Sequence, residues 1–440
     1  MQRHALFAGR RAIAAAAAAL CLAALPGAGL AAGARAAASG GSWGKAEAVR
    51  GLAARNKGGF AEVMSVSCPS AGNCSAVGIY ANRSGSERSY SEVFAVSQQH
   101  GQWGKAEEIP GTAALNVGDY ADFSTLSCSS VGNCAAAGNY AGRSGNSQVF
   151  VVSERHGRWG KAEEAPGLKA MNKGDAELES VSCAPSGSCS AGGTYTNRRG
   201  NSEAFVVSRR NGTWGQAEQV PGSAALNTGG DAQVSSLSCP SAGGCAAGGQ
   251  YSLPGNQNGQ PYEAFVVSQR NGRWGKAERV PGLAALDTGR ESEVDSVSCA
   301  SAASCTAAGY YTGRSGSSSA FVVSQRNGTW GHAQQVPGLA ALDTGQDSAP
   351  GQVSCFSAGN CSVGGIYAPG RSGKTQAFVV SQHNGVWDKA EPVPGAAALN
   401  KGDNAGIGPM SCPSAGGCSA GGDYTDGSRH QQALLVSQAR

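Results

Sequence analysis

VSSLSC (234–239), CAAGGQY (245–251), AFVVSQR (264–270) and RWGKAERV (273–280) follow one another within 47 residues. Each run is strand-sized, rich in small and β-branched residues, and bounded by turn formers, so four consecutive strands are expected. PSAGG joins the first two between Cys239 and Cys245, and Asn271-Gly272 joins the last two. Asn-Gly accepts positive φ at both central positions of a type I′ hairpin. A polar loop such as TNRRGNSE (196–203) separates the second and third strands, and Pro-Gly plus about ten residues follows the fourth, as in PGLAALDTGR (281–290). Four antiparallel strands per unit is the pattern of a propeller blade.

The same unit runs the length of the chain. Trp43, Trp103, Trp159, Trp214, Trp274, Trp330 and Trp387 recur at intervals of 55 to 60 residues. The cysteines keep step as Cys68/Cys74, Cys128/Cys134, Cys183/Cys189, Cys239/Cys245, Cys299/Cys305, Cys355/Cys361 and Cys412/Cys418. A period of this size means stacked or radial supersecondary units. ALLVSQAR (433–440) matches a third strand, and the missing fourth stands at the other end as SWGKAEAV (42–49). These observations predict an all-β, seven-bladed β-propeller with four antiparallel strands per blade, its ring closed by N-terminal strand pairing with the last blade.

Residues 1–38 read as a secretory signal peptide: Arg3, Arg10 and Arg11, an apolar stretch from Ala12 to Leu25, then small residues. Residues 39–440 are then one propeller domain. Leu20 before Cys21 is not the small residue of a lipoprotein signal, and Arg10-Arg11 hints at twin-arginine export. Removing 1–38 lowers Lys+Arg from 34 to 30, equal to the 30 Asp+Glu, so the formal charge of +4 belongs to the signal. Without a basic excess, no nucleic-acid partner is expected, and no membrane span, since no stretch reaches the roughly 20 apolar residues needed. The expected protein is a secreted, extracellular monomer.

With glycine pair, tryptophan and proline in place, the unit resembles the kelch repeat of kelch and galactose-oxidase-type propellers, most closely the kelch-like repeats of secreted actinobacterial proteins. The matching residues are Gly192-Gly193, Gly248-Gly249, Gly364-Gly365 and Gly421-Gly422 ending the second strand, Trp opening the fourth, and Pro-Gly after it. Three units carry a single glycine there: Gly78, Gly138 and Gly309. The resemblance implies an architecture and little about function.

Export to an oxidising compartment and placement across a hairpin turn make each Cys-x5-Cys pair a structural disulfide rather than half a zinc site. Catalytic chemistry is harder to find. His100 and His156 occupy the turn position that Asn211, Asn271, Asn327 and Asn384 fill elsewhere; His332, His383 and His430 are scattered. With all cysteines paired, the copper chemistry of galactose oxidase cannot be carried over, and no carboxylate pair stands out as in glycosidases. No catalytic residue and no cofactor is assigned, and the expectation is a protein that is not an enzyme.

In propellers the second-to-third and fourth-to-first connections share one face, and here that face carries the insertions NRSGSERSYSE (82–92) and SLPGNQNGQPYE (252–263). It also carries Tyr80 with Arg83, Tyr140 with Arg143, Tyr195 with Arg198, Tyr311 with Arg314 and Tyr367 with Arg371. Arginine forks beside aromatic rings suit carboxylates or glycans, so these ten residues form the candidate ligand face. Asp119, Asp175, Asp231, Glu291, Asp347 and Asp403 end the fourth-to-first loops, where they could hold Ca²⁺. The sequence therefore points to a binding propeller recognising an unknown protein, glycan or cell-envelope component. Its alternatives are a polysaccharide hydrolase or lyase working at the same face, or a purely structural scaffold.

Overall fold

The computed structural model describes residues 48–70, 72–83, 90–255, 261–414, 416–429 and 431–438. The expected signal peptide and residues 42–47 of the expected closing strand lie outside them. The chain is all-β, and among the described residues seven sheets follow one another along the sequence, six of five strands and a last one of three. In sheet 4 the first strand is Ala232–Ser241, the second Gly244–Ser252 and the third Tyr262–Arg270, all antiparallel. The fourth differs from expectation: it is split into Arg273–Trp274 and Glu278–Arg279, both paired with the third. Between the pieces Ala277 N–H turns away from the ladder and donates to Pro221 O of the preceding unit at 2.7 Å. The Pro-Gly connections hold one turn of helix, as at Ser223–Leu226, entered through a glycine in the left-handed region (Gly222, φ 82°).

First strands lie against first strands from sheet 1 through to sheet 7, which places them innermost in a propeller-like stack. Serine hydroxyls register each sheet on the next. Ser67, Ser127, Ser182, Ser238, Ser298 and Ser354 each accept from the backbone N–H of the following sheet's first cysteine at 2.9–3.1 Å. Between the sheets sit fully buried third-strand phenylalanines, among them Phe150, Phe205 and Phe265. The glycine that occurs in all seven units, Gly249 in sheet 4, faces a bulge in the first strand, where a Cβ would lie 2.0 Å from Gln233 O. This explains why three units manage with one glycine: the other position of the pair is the dispensable one.

All seven disulfides form, between Cys68 and Cys74, Cys128 and Cys134, Cys183 and Cys189, Cys239 and Cys245, Cys299 and Cys305, Cys355 and Cys361, and Cys412 and Cys418. At the hairpin tips His100 and His156 adopt φ 49° and 50°, the same conformation as Asn211 and Asn271 at 49°. They are turn residues.

One third-strand position reaches back to the preceding sheet. Gln269 donates to Ser208 Oγ at 3.0 Å, Gln325 to Ser268 Oγ at 2.7 Å and Gln382 to Ser324 Oγ at 3.1 Å. In sheet 2 the residue is Glu154, 1% exposed, accepting from Ser75 Oγ at 3.0 Å and Ser97 Oγ at 3.3 Å. Burial pushes its carboxyl above the usual range, against the two serine hydrogen bonds. A raised folded-state pKa means stability that is present at low pH and lost as pH rises through it. Glu154→Gln, the residue of sheets 4, 5 and 6, is therefore expected to stabilise the protein at neutral pH by about 1–2 kcal/mol. Denaturation of both forms between neutral pH and the ordinary carboxylate range checks this, since the gap must close as pH falls.

Candidate functional site

The two long connections do share a face. Side chains of the fourth-to-first loops brace the third strands where the second-to-third loops enter them: Asn116 Nδ2 donates to Ser91 O at 2.9 Å, Asn227 Nδ2 to Ser202 O at 2.9 Å and Asn400 Nδ2 to Thr375 O at 3.1 Å.

The predicted tyrosines and arginines separate on this face. Tyr80, Tyr140, Tyr195, Tyr311 and Tyr367 are buried at strand ends, and burial pushes their hydroxyls up, Tyr140 to about 12. Arg83, Arg143, Arg198, Arg314 and Arg371 are exposed. Arg83 is already engaged, paired with Asp119 and lying 3.8 Å from the Tyr90 ring centroid. The predicted pairs thus form no uniform ring.

The loop acids do not converge on a common point. Asp175 Oδ1 accepts from Ser147 N at 2.8 Å, Asp231 Oδ2 from Tyr262 Oη at 2.7 Å, and Asp403 pairs with Lys374 at 3.5 Å. Among the described residues the three potential metal ligands that come together are Cys128, Cys134 and Glu154, and these cysteines are disulfide-bonded.

Two adjoining clefts open on this face, of about 720 Å³ across sheets 4 and 5 and about 580 Å³ across sheets 3 and 4, sharing Thr228 as a wall. Both fall within the roughly 300–1,000 Å³ of small-ligand sites. In the larger, Tyr251 Oη donates to Glu263 at 2.5 Å and Arg279 pairs with Glu263 at 2.7 Å. Asp287 lines the same cleft, accepting from Ser292 Oγ at 2.8 Å and Glu291 N at 3.0 Å. Burial and the neighbouring Glu263 charge push its carboxyl up, against those hydrogen bonds. The smaller cleft repeats the plan with Tyr195 and Glu203, the latter accepting from Asn197, Gln219 and Asn227 at 2.8–3.1 Å. Sequence reasoning named Tyr195, Arg198 and Arg314 of these clefts and missed Tyr251, Glu263, Arg279 and Asp287. A signal was present: Arg279 stands where other units have Glu108, Glu164, Gln219, Gln335 and Pro392.

No family description and no curated protein matches the sequence. Among solved structures, the chain is similar to ulvan lyase of a new polysaccharide lyase family, bound to -[GlcA(1-4)Rha3S]-, at 11% identity and TM-score 0.45, covering 84% of this chain and 90% of that one. It is similar to the β-propeller domain of the trilobed protease from Pyrococcus furiosus at 10% identity and TM-score 0.44, covering 87% and 96%. It is also similar to Trypanosoma rangeli sialidase in complex with sialic acid at 10% identity and TM-score 0.38, covering 84% of this chain and 52% of that one. The expectation of a protein that is not an enzyme is corrected here. Similar structures include a lyase and a sialidase, and two carboxyls, Glu263 and Asp287, line one cleft.

Proposed function

We propose that this protein is a secreted, kelch-like, seven-bladed propeller, closed by its N-terminal strand, that holds and cleaves a polysaccharide at its loop face. The observation that supports the chemistry is the group Tyr251, Glu263, Arg279 and Asp287 in the larger cleft. Cleaving a glycosidic bond needs one carboxyl that carries a proton and a second that accepts one or attacks. Asp287, pushed up by burial, takes the first role; Glu263, oriented by Tyr251 and Arg279, takes the second.

Purified oxidised protein is expected to be retarded in affinity gels carrying a polysaccharide and to release new reducing ends from it. Glu263→Gln should lower that release by about 100-fold or more, the usual range for a lost acid or base, in a protein that circular dichroism shows still folded. A protein that neither migrates more slowly nor releases sugar across a broad polysaccharide panel would refute the proposal. Retardation without release would leave a holding face and remove the chemistry.

A further inference from the structure

The two clefts differ from the rest of the face in charge. Arg198 and Arg199 line the smaller, Arg290 and Arg314 the larger, and all four are exposed. None of them makes an ion pair with another described residue. The carboxylates beside them are already engaged: Glu263 with Arg279, Glu203 with three side-chain amides, and Asp287 with Ser292. Four exposed guanidinium groups therefore line two adjoining hollows, beside buried groups whose hydrogen bonds are made. Elsewhere on the face Arg83 is neutralised by Asp119, while Arg143 and Arg371 each stand in a different sheet, away from these clefts.

We propose that the two clefts are one site for an anionic polysaccharide, whose charged groups are gripped by Arg198 and Arg199 at one end and by Arg290 and Arg314 at the other. This rests on the polysaccharide reading above and adds the charge class and the place. Guanidinium forks match carboxylate and sulfate in geometry and hold them by paired charge-assisted hydrogen bonds. Two hollows sharing the Thr228 wall suit successive sugars of a chain rather than one small molecule.

The probes are polygalacturonate against its fully methyl-esterified form, and dextran sulfate against dextran, which separate carboxylate from sulfate and each from its neutral parent. Retardation by one or both polyanions and by neither neutral polymer is expected. The double variants Arg198→Ala/Arg199→Ala and Arg290→Ala/Arg314→Ala should each weaken it about tenfold or more, and Arg143→Ala/Arg371→Ala less than about twofold. Equal binding of neutral and charged polymers would overturn the charge class and leave the polysaccharide reading standing. Equal losses in all three double variants would mean diffuse attraction over the face and overturn the assignment to the clefts. Binding of none of the four polymers, with binding of another neutral glycan, would overturn this inference alone.

Discussion

Reducing the seven disulfides of the folded protein is expected to lower its melting temperature by on the order of 20 °C. Each bridge closes a short loop, worth about 2 kcal/mol in the unfolded chain, and bridges in separate sheets act nearly independently, so seven contribute roughly 15 kcal/mol. A chain of this length melts with an entropy near ~0.8 kcal/mol/K, which converts that sum into the stated shift. The protein depends on these bridges because its strands are lean. Ala135, Ala136 and Ala137 fill the middle of one, Ala246 and Ala247 part of another, and alanine buries little surface. Calorimetry with and without reductant, after thiol titration proves the bridges open, makes the measurement. The double variant Cys239→Ser/Cys245→Ser should cost about 2–3 °C by the same conversion. An unchanged transition in fully reduced protein would refute the account.

Deleting residues 39–50 is expected to destabilise the protein by about 5 kcal/mol or more. Val63 and Val66 of sheet 1 are 42% and 39% exposed, and Leu435 of sheet 7 is 68% exposed. Their repeat counterparts are covered: Phe123 and Leu126 are 0% exposed, as is Val266. Ring closure would bring these faces together, and burying three such side chains is worth roughly 1.5–3 kcal/mol each, beyond the strand pairing itself. Ser411 stands where Ser354 accepts the next cysteine's N–H, so closure also gives it Cys68 as partner. Denaturant midpoints of the deletion and of Leu435→Asp, with sedimentation to fix the mass, test this. Unchanged midpoints in both would sink the closed ring. Loss of stability in a monomer supports it, whereas a seam covered by a second copy would show as a dimer.

Much of this was legible from type and spacing alone. The Asn-Gly tips, the cysteine hairpins and the sharing of one face by the long loops are local, and turn chemistry dictates them. The split in the fourth strand was not legible, because it depends on where Ala277 N–H finds an acceptor, and that acceptor, Pro221, belongs to another unit. The cleft group was hidden for a similar reason. Tyr251, Glu263, Arg279 and Asp287 stand on the second strand, the third, the fourth and a loop, and cross-strand register brings the first two opposite one another. Arg83 looked like Arg198 in sequence; Asp119, 36 residues on, removed it from the site.

The serine contacts between first strands have an evolutionary corollary. The donor in each is a main-chain N–H, which every non-proline residue possesses, and the acceptor is a hydroxyl carried within the unit's own motif. Neighbours therefore need not coevolve: a duplicated unit inserted into the array would find its contacts waiting on both sides. Blade number in relatives of this protein should accordingly drift by recombination more readily than the motif itself drifts by substitution.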